Sequence, residues 1–280
     1  MTDPLGSPDH LLFHRRNLER KAERVKNDGP KALVEKAFNA YDAYISSLDR
    51  ESIEKLDFGS AVDNLNRYVD IAKELEGANA LFNWRSDYAS SIVPEFFCRL
   101  VDAVLAKRGI EYFLVTKNAV VDLTVSASRS GGWQVRHKNQ DFCIGLRKDS
   151  LIVDDKEMDF VVPIVAAEFK TNIDINKLNG LDFSAERLKR SFPEARYFLF
   201  TETIDFSLSD NFAAMEIDEV FVLRKQMRSV SRKNKAPLEA DVFVEGVQQV
   251  VDIVCQKYEG GEHVYDRLGF GKLINFSGDK

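Results

Sequence analysis

Phe160-Val-Val-Pro-Ile-Val-Ala-Ala-Glu168-Phe-Lys170 decides the reading of this chain, because an apolar run leads straight into two opposite charges two positions apart. Residues i and i+2 of a strand project from the same face. Glu168 and Lys170 are therefore expected side by side at the end of a buried strand, where charge is costly unless a metal ion, a phosphate or a partner offsets it. A second acid, Asp141, opens another short apolar run in Lys138-Asn-Gln-Asp141-Phe-Cys-Ile-Gly145. Two carboxylates on adjacent strands can hold one or two Mg2+ ions through hard oxygen ligands and leave room for water and phosphate. Asp141 and Glu168 are the candidate ligands, with the Phe169 carbonyl as a third. Lys170 is placed to position or deprotonate an attacking water and to stabilise developing negative charge.

Competing readings are open at several positions. A salt-bridged pair at a strand end is the structural alternative for Glu168 and Lys170. Glu19-Arg20-Lys21 also spells Glu-x-Lys, but in a polar helical segment with no apolar run before it. Asp154, Asp155 and Asp159 rival Asp141, yet they cluster in a turn, where acids are usually solvated. Glu95 opens a helix whose Phe96, Phe97, Leu100, Val101 and Val104 face a core. It could pair with Arg99 and the helix dipole, or reach the same catalytic centre.

Composition bounds the remaining classes. The chain has 280 residues, 44% hydrophobic and 30% charged, which suits a soluble globular protein. No apolar run approaches the roughly 20 residues of a membrane span, and Met1-Thr-Asp-Pro-Leu-Gly-Ser carries no apolar signal core, so a cytoplasmic protein without membrane contact is expected. Cys98, Cys143 and Cys255 are too scattered for a disulfide framework or a zinc site, and His10, His14, His137 and His263 form no ligand cluster. The net charge is −6, but screening makes local charge matter more than the sum. His14–Lys26 carries six cations against Glu19 and Glu23, and Arg224–Lys235 carries six cations and no acid.

Apolar residues recur at helical spacing from about Leu11 to Leu75, with stripes Leu33, Ala37, Tyr41, Tyr44 and Val62, Leu65, Val69, Ala72, Leu75. After the helix that begins near Pro94, short β-branched or aromatic runs take over, at 112–116, 120–125, 133–136, 142–144, 151–153, 160–167, 197–200 and 220–223. Helices are expected over 175–191 and 240–258. The fold class is thus α/β: a mixed β-sheet flanked by helices over residues 91–280, preceded by a mainly helical region over 1–90 that would serve DNA binding or dimerisation.

Asn139-Gln-Asp141-Phe-Cys-Ile-Gly145, Val161 to Lys170, Ala185-Glu-Arg-Leu-Lys-Arg190, Glu216-Ile-Asp-Glu-Val-Phe-Val-Leu-Arg224 and Leu18-Glu-Arg-Lys21 resemble restriction endonuclease subunits of the BbvCI type, within the PD-(D/E)xK nucleases. Pro94-Glu95-Phe-Phe97 is similar too, and the likeness runs with gaps from about residue 17 to 255. It implies a Type II enzyme cutting double-stranded DNA at a short sequence, one strand per subunit, with a second nuclease subunit, identical or different. Mg2+ would be the cofactor, with Mn2+ able to substitute and Ca2+ able to support binding without cleavage. Asp141, Glu168 and Lys170 become the catalytic set, with Glu95 as an addition. Gln140 stands where many relatives have Pro. Expected DNA contacts are Arg15, Arg16, Arg20, Lys21, Lys138, Gln140, Arg187, Lys189, Arg190, Arg224, Lys225, Arg228, Arg232 and Lys233, the Arg224–Lys235 segment reaching phosphates or base edges. A catalytically silent DNA-binding or assembly subunit and a non-specific repair or nicking nuclease are the alternatives.

Overall fold

The structure, a computed structural model, describes residues 5, 7–26, 28–83, 87–115, 119–126, 132–146, 151–153, 156–158, 161–207 and 214–269. The helical stripes of the first third fold as α1 (Phe13–Ala22), α2 (Asp28–Ser46), α3 (Arg50–Lys55) and α4 (Gly59–Ala78), followed by α5 (Ile92–Lys107). Local chemistry sets their ends. The Asp49 carboxylate accepts the Ser52 N–H at 2.7 Å and caps α3, while Leu56, left-handed at φ 51°, stops it. Pro94 sits in the first turn of α5, where its missing N–H costs nothing.

The strands are β1 (Phe113–Val115), β2 (Ala119–Ser126), β3 (Gly132–Lys138), β4 (Phe142–Leu146), β5 (Leu151–Val153), β6 (Lys156–Met158), β7 (Val162–Asp174), β8 (Arg196–Asp205) and β9 (Glu219–Met227). Five form a mixed sheet in the order β1-β4-β7-β8-β9. The pairs β1/β4 and β4/β7 are antiparallel, whereas β7/β8 and β8/β9 are parallel. Parallel neighbours need a crossover, and α6 (Ile175–Ser191) supplies it between β7 and β8. Its start is capped by Asp174, whose carboxylate accepts the Lys177 N–H at 3.0 Å. The chain closes with α7 (Arg228–Ser231) and α8 (Ala240–Gly269).

The alternation of β7 and β8 sorts side chains between two cores. Val165, Ala167, Phe169, Phe198 and Phe200 join the larger core with α4, α5 and α8, and this core runs without a break across residue 90. Ala166, Tyr197 and Leu199 join the smaller core under α6. Phe200 stacks between Phe169 and Phe221, with centroids 4.6 and 4.5 Å away. Among the described residues no helix is long and apolar enough to cross a membrane.

Three sequence expectations change. β7 continues four residues beyond Lys170 to Asp174, so Glu168 and Lys170 lie within a strand and not at its end. Residues 156–158, read as part of an acidic turn, form β6 against β5; Asp154, Asp155, Asp159 and Phe160 themselves lie outside the described residues. The last helix extends well past residue 258, to Gly269.

Gly145 positions β4 against β7 at a register shift between Ile144 and Gly145. A Cβ there would stand 2.2 Å from the Val162 carbonyl oxygen, and backbone cannot step aside as a side chain can. Gly145→Ala is therefore expected to cost about 2 kcal/mol or more through overpacking, read as a lower urea midpoint. An unchanged midpoint would show that the close approach is dispensable.

Candidate active site

Antiparallel pairing of Phe142 with Ala167 brings Asp141, one residue earlier, level with Glu168, one residue later. The Asp141 carboxylate accepts the Phe169 N–H at 2.8 Å. In an antiparallel ladder a residue's N–H and C=O face the same neighbouring strand, so the Phe169 carbonyl is turned to the Asp141 side as well. Lys170 Nζ lies 2.5 Å from Glu168 Oε2 and 3.5 Å from Asp141 Oδ2. The three side chains singled out in the sequence thus meet at one point on the sheet.

A fourth joins them. Lys138, at the end of β3, places its ammonium 3.3 Å from Glu168 Oε1, so each Glu168 oxygen faces a lysine. The β2/β3 hairpin that carries it is held to α6 by Arg187, which donates to Asp122 at 2.8 Å.

Electrostatics follow from this crowding. Burial, then the neighbouring Glu168 charge, pushes the Asp141 carboxyl above its ordinary range, with Lys170 pulling partly back. Burial works against the Lys170 ammonium, yet Glu168 and Asp141 together hold it above the usual lysine value. It keeps its proton. Two carboxylates held this close, one of them pushed above its ordinary range, are the condition that a divalent cation relieves. Two carboxylates plus a backbone carbonyl match Mg2+, which binds through one or two carboxylates and keeps several waters. Among the described residues no group of three or more His, Cys, Asp or Glu side chains gathers around a point. The groups here that could hold such an ion are the Asp141 and Glu168 carboxylates with the Phe169 carbonyl.

Glu95 is placed elsewhere. Its Oε2 accepts the backbone N–H groups of His14 at 2.6 Å and Arg15 at 3.2 Å, and its Oε1 accepts the Tyr41 hydroxyl at 2.6 Å. The side chain is fully buried among α1, α2 and α5. Both oxygens are committed to this helical layer, so the sequence expectation of a metal-reaching carboxylate gives way to one that anchors the start of α1. The same network holds His14, whose ring contacts Ser91 Oγ at 2.8 Å and Tyr68 Oη at 2.5 Å. Tyr68 Oη in turn shares a hydrogen bond with Tyr88 Oη at 3.2 Å, and the spacing of these three residues along the chain gives no sign of the unit they form. Burial presses the His14 pKa down to about 3, so the imidazole is neutral.

The expected DNA-contacting residues divide. Arg20 and Gln140 line a polar cavity of about 350 Å³ that Asp141 also borders. Gln140 is buried, and its Oε1 has no partner among the described residues. Arg15 pairs with Glu19, Arg16 with Asp9, and Lys21 donates to the Leu81 carbonyl. Arg187 is held by Asp122, Lys189 by Asp218 and Arg190 by Glu186. Lys225 pairs with Asp241 and Arg228 with Asp205, while Arg232 and Lys233 are exposed just after α7. Arg224 is buried and donates from Nε to Glu202 at 2.7 Å. A guanidinium so enclosed does not extend into a groove, which corrects the expectation of base contacts from this residue.

Asp141 and Glu-x-Lys on neighbouring strands of a mixed sheet flanked by helices define a restriction-endonuclease-like nuclease core. Residues 88–242 match the family model for the Bpu10I restriction endonuclease. The chain belongs to this family of restriction endonucleases. Among solved structures it is similar to a chain of the native BbvCI A2B2 tetramer, with 40% identity and a TM-score of 0.68 over 88% of this chain and 95% of that one. No curated protein matches the sequence.

Proposed function

We propose that the chain is a subunit of a Type II restriction endonuclease that hydrolyses phosphodiester bonds of double-stranded DNA at a specific short sequence, with Mg2+ held by Asp141, Glu168 and the Phe169 carbonyl. The observation that carries this reading is the convergence of Asp141, Glu168 and Lys170 within hydrogen-bonding reach. Mg2+ bound there would supply Lewis acidity toward the phosphate and a more acidic water.

The chain's own groups do the rest. Asp141 and Glu168 fix the negative corner of the site. Lys170, kept protonated by both, acts as a cationic donor: it orients the attacking water and offsets charge on the pentavalent phosphorus. As the water oxygen bonds to phosphorus it releases a proton to solvent, the P–O ester bond opposite it breaks, and the leaving oxygen takes up a proton from solvent. One such site cuts one strand, so duplex cleavage needs a second subunit. The A2B2 assembly of the BbvCI relative supports pairing with a non-identical partner.

Digestion of plasmid DNA by the assembled enzyme in Mg2+, followed by sequencing of the ends, tests the reading. A single sequence at every end is expected; random ends would replace it with a non-specific nuclease, and no cutting by any assembly with an intact DNA complex would leave a binding subunit.

Lys138 has a role distinct from phosphate tracking in this reading: it neutralises Glu168 Oε1 before the cation arrives. Lys138→Gln is expected to tighten Ca2+ binding several-fold in calorimetric titration, since one competing positive charge is removed at 3.3 Å. Weaker or equal Ca2+ binding would contradict this.

A further inference from the structure

A second cationic cluster lies just past the catalytic strands. Glu202, on β8, accepts Arg224 Nε at 2.7 Å, and Lys73 of α4 stands 3.8 Å from the same oxygen. Lys235 closes the group from the segment after α7, 3.4 Å from the exposed Asp70. Its pKa falls to about 8, chiefly through burial and then through Lys73 and Arg224 facing it. Three cations thus crowd around one buried acid; among the described residues the exposed Asp70 adds a second negative charge, and the Ala236 carbonyl accepts from Arg224 Nη1. Arg224 Nη2 is also buried with no partner among the described residues.

Like charges gathered in a half-buried place are unfavourable unless an anion joins them. The position says which anion. Thr201, the residue before Glu202, pairs with Lys170 across β7/β8, and Glu202, Lys170 and Thr171 line one small cavity beneath the start of α5. Each strand of DNA carries one phosphate per roughly 3.4 Å of rise, so the phosphate next to one cut beside Lys170 is the anion this position suits.

We infer that Lys73 and Lys235, backed by the buried Arg224, form a binding site for a backbone phosphate of the DNA strand next to the one being cut. This rests on the reading of the chain as a DNA-cleaving subunit. The contact is to the backbone, so it is blind to sequence and serves register, not recognition. Lys73 and Lys235 keep about a third or more of their side chains exposed, at 40% and 34%, and remain open to a ligand. Glu202 sets the electrostatic tone: it fixes Arg224 without cancelling the surplus.

The test is the salt dependence of duplex binding in Ca2+ by wild type and by the Lys73→Gln, Lys235→Gln double variant. Both positions are part exposed, and a melting temperature at or above wild type checks that the fold is kept. The slope of log K against log salt is expected to be smaller by about one in the variant, with the same loss on unrelated duplexes. An unchanged slope overturns the site. Failure of the wild type to bind any duplex would sink the nuclease reading itself, which separates the two outcomes. Inorganic phosphate titrated without DNA distinguishes the remaining source: binding lost in the variant beside an unchanged DNA slope assigns the cluster to a free anion and overturns the DNA assignment.

Discussion

Lys170→Ala is expected to lower strand cleavage about a thousandfold while leaving DNA binding in Ca2+ intact. The size follows from removing a preorganised cationic donor from a reaction whose transition state spreads negative charge over phosphorus oxygens. Its Nζ is the group that touches both Glu168 and Asp141, at 2.5 and 3.5 Å. Lys138 meets the other oxygen of Glu168, Oε1, at 3.3 Å and does not replace the Lys170 contact with Asp141. The variant leaves the Asp141 and Glu168 carboxylates facing each other with less positive charge between them, so its affinity for Ca2+ should increase even as turnover collapses. That split separates a catalytic lysine from a structural salt bridge. Loss of the salt bridge alone would lower stability and leave cleavage per folded molecule unchanged.

Glu95→Ala should be the most damaging single change to stability, at about 3 kcal/mol or more. It strands the backbone N–H groups of His14 and Arg15 and the Tyr41 hydroxyl in a buried place, and each unpaired donor costs about 1–3 kcal/mol. Glu95→Gln keeps an acceptor and the shape, so it should fold and still cut DNA; abolished cleavage in a folded Gln variant would restore Glu95 to the metal site.

The pH dependence has a definite sign. Burial, opposed by Tyr41, Arg99 and the two backbone donors, pushes the Glu95 carboxyl up to about 7, against about 4.3 for an unfolded glutamate. Its contribution to stability is therefore full below about 4.3 and is lost as pH rises through about 7. Wild type should lose stability relative to the Gln variant between pH 5 and pH 8 in urea titrations. A pH-independent difference would mean that the carboxylate is ionised throughout.

Much of the catalytic core is legible in the chain. Alternation from Val165 to Lys170 announces which residues share a face, and the capped, periodic segment after Asp174 gives α6 its full extent. β6 is not legible, because three residues, Lys156-Glu-Met158, are too few for a pattern and pair only with β5. The length of β7 is hidden because Thr171 to Asp174 are mostly polar and run past the start of β4, where they pair with β8. Glu95 stays open in the sequence between a helix-start acid paired with Arg99 and a carboxylate of the catalytic centre, and the apolar residues that follow it are what the core uses to bury it against α1 and α2. Lys138 reads in the sequence as a DNA contact, and only the return from β3 into β4 sets it against Glu168. Lys73 and Lys235 meet only through tertiary structure. Arg224 follows an apolar run, Val220 to Leu223, which was the one available hint that it is enclosed.

The central claim is that Asp141 and Glu168 act together to hold a divalent cation. Calorimetric titration of Ca2+ into the DNA-bound enzyme, wild type against Asp141→Asn and Glu168→Gln, tests it most directly. Saturable binding in wild type and its loss in either variant, each folded by its melting curve, is the expected result. Equal Ca2+ binding by all three proteins would contradict the account.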